Sequence, residues 1–317
     1  MSAYLIRRIG QAIVVVIGVM VLTFVLIHLV PGSAARATLG TRATAERIAV
    51  FNAANGLDRP LAAQFVTFVK QAVVGNFGTS YSLQQPVSTL IAQRLPRDAL
   101  LLGLSTLLAL AVALPMGIFQ AVRRGRVADH AFTVVSFVLY SMPDFFFALL
   151  LIAVFSVQLH LLPSQAPQAE SVGGILADPR ALVLPVVTLT LVSVAGFSRY
   201  MRTSAINTLA QEYVQVARSK GLPERLVLRR HVLRNSLLPV VTVLGLQAPN
   251  IVAGAVIAES VFNYPGMGLL FYQAATSKDY PIMLGSTLVV GVATVLGSLF
   301  ADIAYSFLDP RIRYVNA

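Results

Sequence analysis

Six apolar runs, each about as long as a bilayer is thick, decide what this chain can fold into. They cover residues 9–30, 99–122, 132–159, 181–201, 236–258 and 282–308. A lipid interior offers no partners to backbone N–H and C=O groups. Runs of about twenty apolar residues must therefore close their hydrogen bonds internally, as helices. Composition agrees: 56% of residues are hydrophobic and 12% charged, and the mean hydropathy of +0.76 lies far from that of soluble domains. The expected fold class is an all-α integral membrane protein with six transmembrane helices. Arg7-Arg8 and Ser33-Ala34-Ala35 loosely imitate a secretory signal around the first run. That run exceeds the roughly 7–15 residues of a signal core, so it reads as a retained anchor.

Basic residues set the expected orientation. Arg7 and Arg8, then Arg123, Arg124 and Arg126, then Arg199, Arg202 and the whole 4–5 connection, then Arg311 and Arg313, fall on one side. The short connections of the other side hold only Arg180 and Lys278. Both termini are expected in the cytoplasm. The net charge of +11 is divided among separate loops, which fits topology and partner docking and argues against nucleic-acid binding. The absence of cysteine removes disulfide, Fe–S and thiolate chemistry. Lys70, Lys220 and Lys278 are followed by Gln, Gly and Asp, so no Walker A sequence is present, and no His precedes Glu as an HExxH zinc site requires. The chain is expected to be no enzyme, to hold no metal or cofactor, and not to hydrolyse ATP itself.

The connection 211–239 is too long and too patterned for a simple tether. It carries Arg218, Lys220, Arg225, Arg229, Arg230, His231 and Arg234 among apolar residues such as Tyr213, Val214, Val216, Ala217, Leu222 and Leu226. Gly221-Leu222-Pro223 interrupts any helix. The pattern predicts a short helix ending near Lys220, a turn, and a second basic helix reaching Pro239.

Two blocks here, Ala217-Arg-Ser-Lys-Gly221-Leu and His231-Val-Leu-Arg-Asn-Ser-Leu-Leu-Pro239, resemble the cytoplasmic coupling loop of ABC-importer permeases of the dipeptide/oligopeptide/nickel branch. So do Glu259-Ser-Val-Phe262-Asn-Tyr264-Pro265-Gly266-Met-Gly268, Asp279-Tyr280-Pro281, His28-Leu-Val-Pro31-Gly32 and Leu308-Asp309-Pro310-Arg311. The resemblance covers 4–313, and the loop and 259–268 are its strongest parts. It implies a coupling helix docked on an ATPase subunit, with Tyr213, Ala217, Arg218, Lys220, Gly221, Leu222 and Arg225 at the contact. It further implies a second homologous permease subunit and two ATPase subunits that bind ATP and Mg. An extracytoplasmic peptide-binding protein would complete the assembly, in a bacterial or archaeal cytoplasmic membrane. Where permeases generally carry Glu-Ala-Ala before the loop glycine, this chain has Gln215-Val216-Ala217, so a Glu-mediated contact is not carried over. Charge reversal at Arg218 or Arg225 is expected to uncouple ATP hydrolysis from transport.

The remaining organisation follows the chain. Residues 1–30 form the tail and first span, 31–97 an external subdomain, and 98–317 a five-helix core whose coupling loop covers 202–235. In the subdomain, helices are expected over 45–54 and from Pro60 to Gly75, the latter with Leu61, Phe65, Phe68, Val69 and Ala72 on one face. His28 reads as packed or interfacial. In the third run, Ser141-Met-Pro143-Asp144 places a proline kink and a carboxylate near mid-membrane. Such a group costs roughly 2.5–3.5 kcal/mol on insertion scales and needs a partner or a wet cavity. Asp144, Gln247, Asn250, Glu259, Phe262 and Tyr264 are the pathway and gate candidates, each weighed against plain packing or cross-helix bonding. Asp302 is expected to pair with a basic group near the inner surface.

The leading reading is one permease subunit of an ATP-driven importer of di- or oligopeptides. Nickel chelates and glutathione-like molecules are alternative cargoes in the same branch. A proton-coupled transporter using Asp144 and Asp302 leaves the structured loop unexplained, and no inverted repeat supports it. An intramembrane aspartyl protease would need those two carboxylates facing each other at one depth.

Overall fold

A computed structural model describes residues 2–308, with side chains over 10–299 except Ala248. These residues are helical apart from turns and one isolated antiparallel bridge between Thr79 and Pro86. The first helix, α1 (Ser2–Leu29), exposes apolar side chains nearly all round, as in Val14, Leu22 and Leu26, the pattern of a lipid-facing span. It stops at Pro31-Gly32. Three short helices follow: α2 (Ala34–Leu39), α3 (Ala45–Ala54) and α4 (Leu61–Val73). Thr44 caps α3 by accepting from the Arg47 N–H at 3.4 Å, and Pro60 is the residue before α4 rather than its first. Phe65 and Phe68 on α4 pack onto the end of α1 at Phe24 and Ile27. His28 is packed, its Nδ1–H donating to the Phe24 carbonyl (2.8 Å) between the rings of Phe24 and Tyr280.

The second span, α5 (Val87–Val122), begins well before its apolar run and passes Pro96 and Pro115 without breaking. The third run is not one span in the expected sense. Helix α6 (Val127–Ser141) and α7 (Asp144–Leu151), the latter extended by π-helical turns Ile152–Gln158, meet at 101°. Pro143 cannot donate to the preceding turn and disfavours helix at Met142, whose ψ of 128° is extended. The expected kink is a full turn of direction. Short α8 (Val172–Ala177) leads to α9 (Pro179–Leu209), capped by Asp178 through the Ala181 N–H.

Beyond it lie α10 (Glu212–Ser219) and α11 (Glu224–Leu226), then π-helical turns Val227–Leu233 and α12 (Arg234–Ala253). The last three run together as one apolar helix, Glu224–Ala253. The second basic helix therefore does not end at Pro239 but continues through it. After the Gly254-Ala255 break come α13 (Val256–Phe262), α14 (Met267–Ser277) and α15 (Tyr280–Leu308). Among the described residues, five helices are long and apolar enough to cross a membrane, and α6–α7 makes a sixth crossing if the bent pair counts as one.

The axis of the molecule is α5 against α9, with α12 on α9 and α15 on α12 and α1. Ser105, Ala109, Ala113, Gly117 and Ala121 recur every fourth residue on α5, and all are buried. Ala109 and Ala113 pack with Val194, Phe197 and Met201 of α9 and Val240 of α12, and Ala121 with Ala205 further along α9. Between lipid-facing helices no hydrophobic gain drives association, so small residues that let backbones approach, and the dispersion contacts this allows, do the work. Contact is closest at Gly117, where an added Cβ would lie 2.7 Å from Met201 Cβ and 2.9 Å from the Arg202 backbone nitrogen. Gly117→Ala should lower stability by about 1–3 kcal/mol, an overpacking cost, read as a lower midpoint by circular dichroism in detergent. Gly103→Ala on the same helix, which meets nothing within 4 Å, should leave the midpoint unchanged.

Candidate functional site

Three features converge along the axis: a mostly apolar cavity dotted with polar side chains, a broken segment folded around buried carboxylates, and the basic loop. The cavity, about 240 Å³, lies between α5, α9 and α12. Leu102, Ser105, Thr106, Leu189, Ser193, Leu244, Gln247, Asn250 and Ile251 line it, and Gly254-Ala255 closes one end. Gln247 and Asn250 are thus brought together at one cavity. They are joined by Ser193, a polar point of the fourth apolar run, and by Ser105 and Thr106, which the apolar pattern concealed because single hydroxyls barely alter hydropathy. The lining carries hydroxyls and amides and no charge.

Asp144 is not in this cavity. It is half-buried in the first turn of α7, at the sharp bend beside the apolar hollow of Phe137, Met142, Phe145 and Phe146. Phe262 and Tyr264 do not line the cavity either. Both are fully buried among Leu101, Leu151, Ile175 and Leu184, where they support the broken segment from behind.

Glu259 is fully buried, with its carboxylate folded back over the start of its own helix and the start of the next. Oε1 accepts from the Ala255 N–H and Oε2 from the Leu269 N–H at 2.8 Å. Asp98 on α5, equally buried, accepts from the Met267 N–H at 2.8 Å through Oδ2. Helix starts leave N–H groups without intrahelical partners, and here two carboxylates supply the acceptors. Gly254, Gly266 and Gly268 surround the pair so closely that a Cβ on Gly254 or Gly266 would strike carboxylate oxygens of both Asp98 and Glu259. These glycines are required by crowding. The Tyr264 hydroxyl donates to the Arg97 carbonyl at 2.7 Å, and the Arg97 guanidinium donates to the carbonyls of Pro265 and Glu170. The segment is also fastened to the 159–171 connection, through the Ala166 N–H to the Phe262 carbonyl (2.8 Å) and Gln168 Nε2 to the Asn263 carbonyl (2.7 Å). Sequence reasoning singled out Glu259 and missed Asp98. The available signal was a carboxylate placed immediately before an apolar run.

At the subdomain end, Asp279 plays a similar part. Its Oδ2 accepts from Ser80 Oγ (2.7 Å), the Ser82 N–H (3.0 Å) and Ser82 Oγ (2.9 Å), clamping the 79–86 turn to the start of α15. Burial, and then the neighbouring Asp279 charge, push the Tyr81 phenol above its ordinary range. At the opposite end, Asp129 accepts from Arg202 Nε (2.7 Å) and Nη2 (2.8 Å) and from the Gly125 N–H (3.0 Å), bracing α6 on α9.

The basic loop is seated on this braced end. Val214 and Ala217 of α10 and Val227 and Val232 of the following turns are buried with Ala121 and Ala205, and Leu222 packs beside them. Ala217 and Leu222 therefore anchor α10 from below. Tyr213, Val216, Lys220, Gly221 and Arg225 are on the exposed side. Gly221 takes a φ of +74°, the left-handed conformation that ends α10. Arg218 reaches forward to Glu224 with bonds of 3.1 and 2.7 Å, which raises its pKa. Gln215 donates to the Leu209 carbonyl at 3.3 Å. A carboxylate could not make that bond at neutral pH, so Gln215 stitches α10 to the end of α9. Asp302 falls on α15 and Arg311 and Arg313 beyond it, all outside the described side chains.

A bundle of membrane-spanning helices with an uncharged cavity at its axis and a structured basic loop at one end fits a membrane component of a transport system. The sequence comparisons agree. The pattern of the binding-protein-dependent transport system inner membrane component matches residues 113–314, and its N-terminal counterpart matches 1–102. The chain is 37% identical over 316 residues to the oligopeptide transport system permease protein AppB of Bacillus subtilis (strain 168), covering 99% of this chain and 100% of the relative. It is 32% identical over 337 residues to the dipeptide transport system permease protein DppB of Escherichia coli (strain K12), covering 99% of each. DppB of Alkalihalophilus pseudofirmus is also 32% identical, over 333 residues, covering 99% of this chain and all of the relative. The chain belongs to the binding-protein-dependent transport system inner membrane component family.

Asp279→Ala should release the 79–86 turn. Limited proteolysis of the detergent-solubilised protein should then cut that segment several-fold faster, while Asp58→Ala, on an exposed turn, should not change the rate.

Proposed function

We infer that this chain is the transmembrane permease subunit of an ATP-driven, binding-protein-dependent importer of di- and oligopeptides. One geometric observation carries the reading. A single helix, Glu224–Ala253, runs from the exposed basic loop to Gln247 and Asn250 in the axial cavity and ends at the Gly254 break. Force applied at the loop reaches the cavity wall without crossing a flexible joint. The substrate class comes from the full-length relatives, which are dipeptide and oligopeptide permeases. The uncharged hydroxyl and amide lining suits peptide bonds common to all such cargo. A proton-coupled mechanism is less well served, since the cavity lining has no carboxylate.

In this reading the loop end is cytoplasmic, following the distribution of basic residues, and the α2–α4 subdomain faces the binding protein. A second permease subunit completes the pathway, and two ATPase subunits hold ATP and Mg on the cytoplasmic side. Tyr213, Val216, Lys220, Gly221 and Arg225 form the docking face, with Ala217 and Leu222 beneath it. When the ATPase pair closes, α10 moves with its groove and the Glu224–Ala253 helix tilts. The cavity then opens alternately to the two sides, with the break at Gly254 as the flexible point.

Purification of the tagged chain from its native membrane in mild detergent should recover a second permease and Walker-containing ATPases. Recovery of the chain alone, with transport intact, would refute the proposal. Arg218 is held by Glu224, so Arg225 is the cleaner probe of docking. Arg225→Glu should reduce peptide uptake by roughly tenfold or more, the loss of about 1.4 kcal/mol expected when a contact arginine is reversed. ATP hydrolysis should meanwhile cease to respond to the loaded binding protein. Unchanged uptake in Arg225→Glu would remove the loop from the coupling path.

A further inference from the structure

We propose that Asp98 and Glu259 hold one proton between them, and that this shared proton latches the broken segment 254–268 to α5. Both side chains are completely buried. Three of their four oxygens accept backbone N–H groups: Glu259 Oε1 from Ala255, Glu259 Oε2 from Leu269, and Asp98 Oδ2 from Met267. The fourth, Asp98 Oδ1, is buried with no partner. It points to the place where a Gly266 Cβ would lie, and Glu259 Oε2 points there too. Two ionised carboxylates cannot face each other across such a gap without a donor, whereas a proton on Asp98 Oδ1 turns the clash into an O–H···O bond.

Other neighbours do not supply that donor. Arg97 donates through Nη1 and Nη2 to the Pro265 and Glu170 carbonyls, its Nε is buried without bonding either carboxylate, and no bond joins Arg94, half-buried one turn earlier on α5, to them. The Tyr264 hydroxyl donates to the Arg97 carbonyl. No charged residue lies on α12 beyond Arg234, on α13 apart from Glu259, or on α14. A metal ion is poorly suited, because N–H donors rather than further oxygen ligands surround the pair. Arg94 offsets the charge that remains on Glu259 from a distance. Opening of the segment then requires this proton bond to part, and removal of the proton at alkaline pH leaves two facing anions that push the segment off α5.

The role of the latch in transport rests on the importer reading; the proton itself does not. Asp98→Asn keeps the shape and gives Glu259 a permanent neutral donor. In vesicles holding the whole importer with ATP, wild-type uptake should fall toward alkaline pH, approaching tenfold per pH unit beyond the midpoint, the slope of one proton. Asp98→Asn should retain most of the neutral-pH uptake and lose that fall. Glu259→Gln should lose uptake at every pH, because its amide nitrogen must face a backbone N–H. Infrared spectra of the purified protein supply a readout independent of transport: a protonated-carboxyl stretch at neutral pH that is absent from Asp98→Asn. The proposal is overturned if that stretch is missing, if Asp98→Asn fails to assemble or falls as Asp98→Ala does, or if it keeps the wild-type alkaline fall. Absence of ATP-driven peptide uptake in the wild type would instead overturn the importer reading, and the infrared result would still decide the proton.

Discussion

The broken segment 254–268 and the turns at 79–86 and 123–126 depend on buried carboxylates that accept hydrogen bonds left open there. A continuous span satisfies its own backbone, but a break within an apolar bundle exposes N–H groups that water cannot reach. Glu259 and Asp98 serve the starts of α13 and α14, Asp129 serves the turn before α6, and Asp279 holds the turn before α5 to the start of α15. In each case one acidic side chain does for backbone what a neighbouring helical turn would have done. The molecule can therefore carry a broken segment next to its cavity without unfolding there.

The same economy governs helix contact. Since lipid is as apolar as leucine, α5 and α9 gain little by hiding apolar surface from it. What holds them is proximity, and the four-residue repeat from Ser105 through Ala121 permits it. At its far end the repeat merges into the small cluster that seats α10, so the axis and the loop share one packed face. Movement of the loop therefore acts on the most tightly packed part of the bundle. Its two attachments differ in stiffness: a left-handed glycine separates α10 from α11, while α11 and α12 form an unbroken helix.

Much of this was legible in the chain. The helical apolar runs apart from the bend in the third, the helix over 45–54 and the turn at Gly221 all rest on local rules, and the structure has each of them. Pro143 announced a break but not its 101° angle, because a proline removes one hydrogen bond and the packing of the flanking helices sets the direction. Pro239 suggested an end where the helix continues, since neighbouring turns and helices accommodate the missing bond. Phe262 and Tyr264, in a segment that reads like a gate, turned out to be its foundation; aromatic residues beside glycines have the same appearance in either role.

The sequence by itself determined that the chain is a helical membrane bundle with a structured basic loop, because span length, charge and helix termination are set by neighbours along the chain. The tertiary structure alone decided that Asp98 meets Met267, 169 residues away, that Glu259 lies against it, and that Ala217 faces inward while Arg225 faces out. Those pairings depend on how separate helices pack, and a carboxylate or an alanine carries no mark in the sequence of which distant surface will enclose it.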